Sequence, residues 1–380
     1  MLPEKRNNPV NWTDGMKLNK DHFIGLDNWI IDGLRDNICM QMTDFNYGLL
    51  EGSGEVDSSL KLLINIDQNN QINIKVIDCR AITKGGIRIE ISSQNIQSFQ
   101  YPLDKLSLDF DVKESSNEMF DIILAVFPDK RIPVGQPVEN EIPFRHPYVM
   151  PEYQLHAVPT KQVNSSQMWK NHVTVGKFQV VAREVQFYTE YIPPCTRVDA
   201  YPSLLEYFYK FENTHQKISN ALSEYLRKNR SNQNKIEANL ISVFEKLLFY
   251  LTAGMGRYKL LYRSQPPVYF IEFYVSFARI FKSALNWLSE YEREEVLNYL
   301  SHWISSRDLD NAAFELLNLE YDHQDIYASV LKVERYLDLV QDLFEKMMLS
   351  GKGVPPVKEP APPVKTKHGP VIIKDGKRIN

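Results

Sequence analysis

Tyr191-Ile192-Pro193-Pro194-Cys195 is where this 380-residue chain changes character. Two successive prolines offer no N–H to a ladder, so a region of strands has to end there. Beyond them, from Pro202, apolar residues recur at helical spacing, and Leu204, Phe208, Phe211, His215, Ile218, Leu222 and Tyr225 form one stripe. Before them the recurrence is every second residue. The reading that follows is a multi-domain β plus α chain: an N-terminal β-sandwich over 1–194, an antiparallel helical bundle over 195–350 and an extended tail over 351–380.

On the strand side, Leu60, Leu62, Ile64 and Ile66 alternate with other residues, as do Ile72, Ile74 and Val76. The polar link Asp67-Gln68-Asn69-Asn70 between them suits a hairpin turn. Ile87, Ile89 and Ile91 repeat the period after Gly85-Gly86, and Phe120 to Phe127 is apolar on both faces, as in a strand buried between layers. Val173, Val175, Phe178 and Val180 open a further strand set that runs to Tyr191. Many short strands with polar or Gly/Pro links indicate a sandwich or a barrel. One early segment differs: Phe23, Leu26, Ile30 and Leu34, with Trp29 beside them, predict a helix over 20–36 capped by Asn19.

On the helix side, Ile236, Leu240, Val243, Phe244, Leu247 and Leu251 form a second stripe, which Gly254 and Gly256 are expected to end. Pro266-Pro267 open a third helix carrying Phe270, Phe273, Phe277, Ile280, Phe281, Ala284 and Leu288. Shorter helices are expected over 292–304 and 308–319, then a long one with Ile326, Val330, Val333, Leu337, Val340, Phe344 and Met347. Short links between long amphipathic helices make an antiparallel bundle. The Pro/Lys-rich remainder reads as an extended tail with polyproline character at its start.

Charge narrows the partners. The tail holds Lys352, Lys358, Lys365, Lys367, Lys374, Lys377 and Arg378 against Glu359 and Asp375, so the net −4 of the chain divides into +5 for the tail and −9 for the rest. An acidic body argues against nucleic acid, whose phosphates call for clustered Lys and Arg. No stretch reaches the roughly 18 apolar residues of a membrane span. The start, MLPEKRNNPVNW, lacks the apolar core of a signal peptide, so the expected location is the cytoplasm. Cys39, Cys79 and Cys195 are too few and too scattered for a disulfide framework or a zinc site and read as free thiols.

No catalytic motif stands out. The sequence has no P-loop, HExxH or GxSxG, and Gly254-Met255-Gly256 reads as a helix end. His146, His156 and His172 could converge but have no ligand spacing. Glu292, Glu294, Glu295, Asp308 and Asp310 lie among Arg293 and Arg307 and read as solvated helix charge. The expectation is a binding protein with no reaction, no cofactor, no metal and no small-molecule substrate.

What the chain has in surplus is aromatic surface: 20 Tyr, 19 Phe and 5 Trp. Tyr207, Phe208, Tyr209 and Phe211 surround a full helical turn. A helix apolar all round is covered on all sides. Either the sandwich and shorter helices cover the extra face, or another copy does; the second reading puts Phe208, Phe211, His215, Ile218, Phe273, Phe277 and Phe281 at a subunit interface.

Several landmarks fall in a familiar order. Pro9-Val10-Asn11-Trp12-Thr13-Asp14-Gly15-Met16-Lys17-Leu18, then His22-Phe23, resembles the opening signature of the TssK family. Tyr47-Gly48-Leu49, the Pro193-Pro194-Cys195 junction with Tyr201-Pro202-Ser203-Leu204-Leu205, and Gln265-Pro266-Pro267-Val268-Tyr269 resemble its later landmarks. The resemblance implies a homotrimeric baseplate adaptor of the type VI secretion system, with a sandwich "shoulder" and a helical "neck". It further implies that the N-terminal region docks on wedge proteins of the TssF and TssG families, at the inner face of the inner membrane.

On that reading Trp12, Gly15, Met16, Leu18, His22 and Phe23 belong to the wedge-binding surface; by their own chemistry Trp12 and Phe23 read first as pinning the N-terminal segment to the sandwich, and His22 as a hydrogen-bonded group at the helix start. The resemblance also implies a C-terminal head that meets the envelope-spanning membrane complex, and the residues after Leu349 are expected to be too few for a normal one. Either the helices of 292–349 and the basic residues Lys365, Lys367, Lys374, Lys377 and Arg378 replace the head, or a different membrane partner is used and the tail serves solubility. Two other readings stand beside this one: a phage-tail-like receptor-binding protein on the same plan, and a β-sandwich carbohydrate-active hydrolase, whose paired carboxylates need no sequence spacing.

Overall fold

The computed structural model describes residues 7–52, 59–66, 71–111, 118–163, 171–181, 184–230, 234–349, 373–374 and 377–378. The chain opens with helix α1, Lys20–Cys39, whose N-terminus is closed by a reciprocal pair of bonds: Asn19 Oδ1 accepts from the His22 N–H, and His22 Nδ1 accepts from the Asn19 N–H.

Two sheets follow. The first is built around β3, Gln71–Ile82, which runs antiparallel to every neighbour. Its register puts β2, Leu60–Ile66, and then β1, Gly48–Leu49, along one edge, while β5, Ser107–Asp111, and β4, Arg88–Ile91, share the other. Helix α2, Ser93–Phe99, is capped by Ser92. The second sheet has the order β7-β6-β8-β9, with β6 Met119–Val134, β7 Tyr148–Pro159, β8 His172–Val181 and β9 Glu184–Phe187. The last strand stops at Phe187 rather than continuing to Tyr191, because the Tyr191 N–H turns back to the carbonyl of Tyr188.

The alternating residues read from the sequence are the ones that face inward. Ile72, Ile74 and Val76 of β3 and Leu124, Val126, Val173 and Val175 of the second sheet are all buried in one core. Phe110 of β5 meets Phe120 and Phe178 at ring centroid distances of 5.0 and 5.3 Å, and Phe120 stacks on Phe178 at 5.2 Å. With two separate sheets face to face, the module is a sandwich and not a barrel. Ile123, on the opposite face of β6, joins a small second cluster with Val158 and with Val163 of α3, Thr160–Val163, which is why Phe120 to Phe127 is apolar on both sides. The Asp67–Asn70 link lies outside the described residues.

The bundle contains α4 Pro202–Asn229, α5 Lys235–Leu260, α6 Val268–Asn286, α7 Glu290–Leu300, α8 Ser306–Leu317 and α9 Ile326–Leu349. Pro202 occupies the first turn of α4, where its missing N–H is not needed. Gly254 and Gly256 do not end α5, which runs six residues past Gly254 to Leu260. A Cβ on Gly254 would lie 2.2 Å from Cε2 of Phe273, so this glycine is a close-approach point of α5 on α6 and not a cap.

The buried tyrosines of the bundle find backbone acceptors: Tyr258 Oη donates to the Phe208 carbonyl at 2.9 Å and Tyr274 Oη to the Phe211 carbonyl at 3.1 Å. Phe244 of α5 meets Phe344 of α9 at 5.1 Å. In the tail, β10, Ile373–Lys374, pairs antiparallel with β11, Lys377–Arg378.

The aromatic surplus is spent inside the chain at the positions expected to face another copy. Phe208, Phe211, His215, Ile218, Phe273, Phe277 and Phe281 are all buried, the most exposed at 3%. The reason is the company they keep: Phe208 stacks on Tyr258, Phe211 packs edge-on to Tyr274, and His215 stacks on Phe273. α5, α6 and α9 close around α4 and cover Phe208 and Phe211, while Tyr209 of the same turn stays 47% exposed. Those seven residues form the core of the bundle and are not a surface for a second copy.

Sandwich and bundle meet in a joint that is itself hydrogen-bonded. The Leu49 N–H donates to the Pro194 carbonyl at 2.7 Å, and the Thr196 N–H donates to the Leu49 carbonyl at 2.9 Å. Gly48 sits at φ +107°, and a Cβ there would lie 2.0 Å from the Pro194 oxygen, so the approach requires glycine. The loop from α8 to α9 closes the joint. Its His323 donates from Nε2 to the Tyr47 carbonyl at 2.8 Å and accepts at Nδ1 from Tyr321 Oη at 2.7 Å, while the ring lies edge-on to Tyr47 at 4.8 Å. Tyr191 Oη donates to the Gln324 carbonyl at 2.9 Å, and Lys177 Nζ pairs with Asp325 at 3.2 Å.

Candidate interaction surface

Helix α1 is built the wrong way round for a surface helix of a lone chain. Its polar side holds it to the body. Asp32, its one buried residue, accepts from the backbone and side chain of Asn7 at 3.0 and 2.8 Å and pairs with Arg35. Arg131 of β6 reaches Asn28 at 2.7 Å and Asp27 at 3.3 Å, and Cys39 Sγ donates to the Gly85 carbonyl at 3.3 Å.

The apolar side faces outward. Phe23, Ile30, Leu34 and Ile38 recur at intervals that keep them on one face, and all are exposed, Leu34 by 60%. Ile31 lies beside them, also exposed. A stripe of this width is normally buried, and exposed contiguous apolar surface of this kind marks an interaction site.

The segment before the helix extends the patch. Asp14-Gly15 makes the expected tight turn, with Gly15 at φ +78° and Met16 N–H on the Thr13 carbonyl. Trp12 folds back over the start of α1, 6.5 Å from the ring of Phe23 and 6.2 Å from that of His22. Trp12, Leu18 and Phe23 are each about half exposed, so the Trp12–Phe23 contact leaves both rings uncovered. His22 is occupied as a cap. Trp12, Phe23 and His22 therefore meet at one place, with Gly15 turning the chain before them, Met16 half-buried and Leu18 exposed. The continuation of the patch along Ile30, Ile31, Leu34 and Ile38 was not singled out in the sequence. The signal for it was present in the helical stripe, but the direction in which the stripe points is decided by Asp32 and Arg131.

Other candidates do not assemble. Among the described residues no group of three His, Cys, Asp or Glu side chains is placed to hold a metal. His146 hydrogen-bonds the Gly135 carbonyl and His156 the Gln154 side chain. Cys79 and Cys195 are buried, with thiols pushed up by burial. A groove of about 390 Å³ between β3 and α2, bordered by Lys75, Ile96, Gln97, Tyr101, Leu103 and Leu106, carries no carboxylate. Glu292 is bound to Ser289 and Lys235 as a helix cap. Among the described residues no helix is long and apolar enough to cross a membrane. Of the tail residues, Lys374, Lys377 and Arg378 fall in the β10–β11 ladder, while Lys365 and Lys367 lie outside the described residues.

A sandwich and a helical bundle fused through a buried joint, carrying an apolar helix on the outside, define a two-module scaffold. Within that class the fold is that of TssK. The chain is similar to a crystal structure of TssK with a TM-score of 0.53 and 13% identity, over 89% of this chain and 69% of that one. It is similar to a chain of the type VI secretion system TssK-TssF-TssG baseplate subcomplex with a TM-score of 0.50 and 13% identity, over 90% and 100% of the two chains. A chain of the baseplate complex from the type VI secretion system aligns with a TM-score of 0.53 and 12% identity, over 88% and 99%. No family sequence model and no curated protein sequence matches the chain. At these identities the likeness is one of fold.

Proposed function

We propose that this chain is a non-enzymatic adaptor of a type VI secretion baseplate, a divergent relative of TssK that binds wedge proteins of the TssF and TssG kind. The observation that carries the proposal is the reversed helix α1. Its polar side is committed to Asn7 and Arg131, and its apolar side, continuous with Trp12, Leu18 and Phe23, is left for a partner. The fold of a chain found in a TssK-TssF-TssG subcomplex says which kind of partner to try.

The mechanism is rigid presentation. Gly48, Pro194 and His323 fix the sandwich to the bundle, so surfaces on the two modules keep one spacing. Three copies would multiply modest contacts into avidity. The link to the envelope-spanning complex at the inner membrane falls to the basic tail, whose Lys365 and Lys367 offer positive charge to an anionic partner.

The test is reconstitution with the wedge subunits encoded beside this chain in its own genome. Co-expression should yield a complex that survives size exclusion. Wedge subunits that assemble with each other while this chain elutes alone would end the proposal.

A further inference from the structure

Among the described residues, β2 is an edge strand of the first sheet. Ile64 and Ile66 of β2 stand directly opposite Ile74 and Ile72 of β3, so they share the core-facing side of the sheet. Their partners on β3 are fully buried, yet Ile64 is 37% and Ile66 50% exposed. Leu62, next in the same row, is already packed on the core near Gly176 of β8. On the other side of the strand Leu63 is exposed as well.

The apolar layer thus continues past β3 onto β2 and ends in solvent. The edge of β1, in line with β2, is occupied by Pro194 and Thr196, whereas among the described residues no strand borders β2 on the side away from β3. An apolar edge of this kind is a template for strand addition.

The chain also carries a strand pair with no sheet. β10 and β11 form a two-stranded ladder, and two strands alone are marginal in water. The sequence around them, Val371-Ile372-Ile373-Lys374-Asp375-Gly376-Lys377-Arg378, is strand-forming on either side of an Asp-Gly turn signal. It needs an apolar edge as much as β2 needs a strand.

The chain between α9 and β10, residues 350–372, is rich in proline and spans roughly 70 Å if extended. That exceeds the roughly 55 Å diameter of a compact chain of this length, so the hairpin reaches β2 of its own molecule, and the tether holds it at millimolar effective concentration. The body it returns to carries −9 and the tail +5. We propose that the C-terminal hairpin adds in cis to the free edge of β2, extending the first sheet and covering Ile64 and Ile66.

Hydrogen exchange tests this. In the intact chain the backbone amides of Lys61 to Ile66 that point away from β3 should exchange at least about tenfold more slowly than in a chain ending at Leu349. Ile373→Pro, which removes a ladder N–H, should release the same amides while exchange in α4 to α6 stays unchanged. Amine cross-linking supplies a second arm, because Lys61 lies on β2 and Lys374 and Lys377 on the hairpin. In an equal mixture of light and heavy isotope-labelled protein, cross-links between Lys61 and these residues should be purely light–light or heavy–heavy. Equal β2 exchange in the intact and shortened chains would overturn the proposal, and so would cross-links of mixed mass, which mean that the hairpin serves another copy.

Discussion

His323 shows how one side chain can set the geometry of the whole chain. Both its ring nitrogens are engaged, Nε2–H donating to the Tyr47 carbonyl and Nδ1 facing the Tyr321 hydroxyl, which donates to the neutral ring. Burial pulls its pKa down to about 4, from an ordinary value of 6.5. His215, buried in the bundle with Nε2 on the Leu251 carbonyl, is likewise lowered to about 4. In both cases the unfolded chain binds a proton that the folded chain refuses. Stability is therefore complete above pH 6.5 and is lost as the pH falls from there to 4, by roughly 3 kcal/mol for each histidine. The expected outcome is a melting temperature that drops steeply over that interval. His323→Gln, which keeps a donor and an acceptor, should flatten part of the drop. Parallel pH profiles of the two proteins would show that His323 takes up its proton as readily in the fold as in the unfolded chain. None of this was legible in the sequence, where His323 lies in a polar link between two helices, 276 residues away from the carbonyl it binds.

At the scale of elements, most of the architecture could be read from periodicity, and the failures share a cause. Alternation located β2, β3, β4 and β8, and the helical period located α1 and α4 to α9, because one buried face imposes those periods. What periodicity cannot say is what covers a face. The stripe of α1 looks like any core-facing stripe, yet it points to solvent. The stripes of α4 and α6 looked too broad for one chain, yet α5 and α9 cover Phe208, Phe211, Phe273 and Phe277 and leave only Tyr209 and Tyr269 about half exposed. Gly254 looked like a helix stop because a glycine in a helix is costly, and the contact that justifies it, Phe273, lies on another helix.

The same distinction makes a prediction for α1. Phe23→Asp and Leu34→Asp alter side chains that the chain itself does not bury, so each should change folding stability by less than about 0.5 kcal/mol. Both should weaken binding of the wedge partner by more than tenfold, since an unpaired carboxylate would be buried in the contact. Calorimetry and binding measured on the same preparations check this, and variants that bind as well as the parent would remove α1 from the interface.

For the whole molecule the remaining question is how many copies act together. The residues first expected to join copies are in the core, but the bundle still shows large apolar side chains elsewhere. Phe249 is 75% exposed, Trp287 80% and Leu260 81%. Phe249 lines an open groove of about 620 Å³ with Ser242, Glu245, Lys246, Tyr250 and Ile280, and Lys246 Nζ sits 5.1 Å from the Trp287 ring. Phe249 and Trp287 both lie near Lys246, on α5 and at the end of α6, and exposed aromatic side chains are typical of the centre of a protein interface. A trimer through this face should sediment at three times the 44.3 kDa of the chain. The paired change Phe249→Asp and Trp287→Asp should return it to a monomer with an unchanged circular dichroism spectrum, because neither side chain supports the fold. Phe211→Asp, by contrast, should destroy the bundle. A parent protein that sediments as a single chain at micromolar concentration would leave these aromatics to a different partner, and the avidity on which the adaptor reading depends would have to come from the baseplate itself.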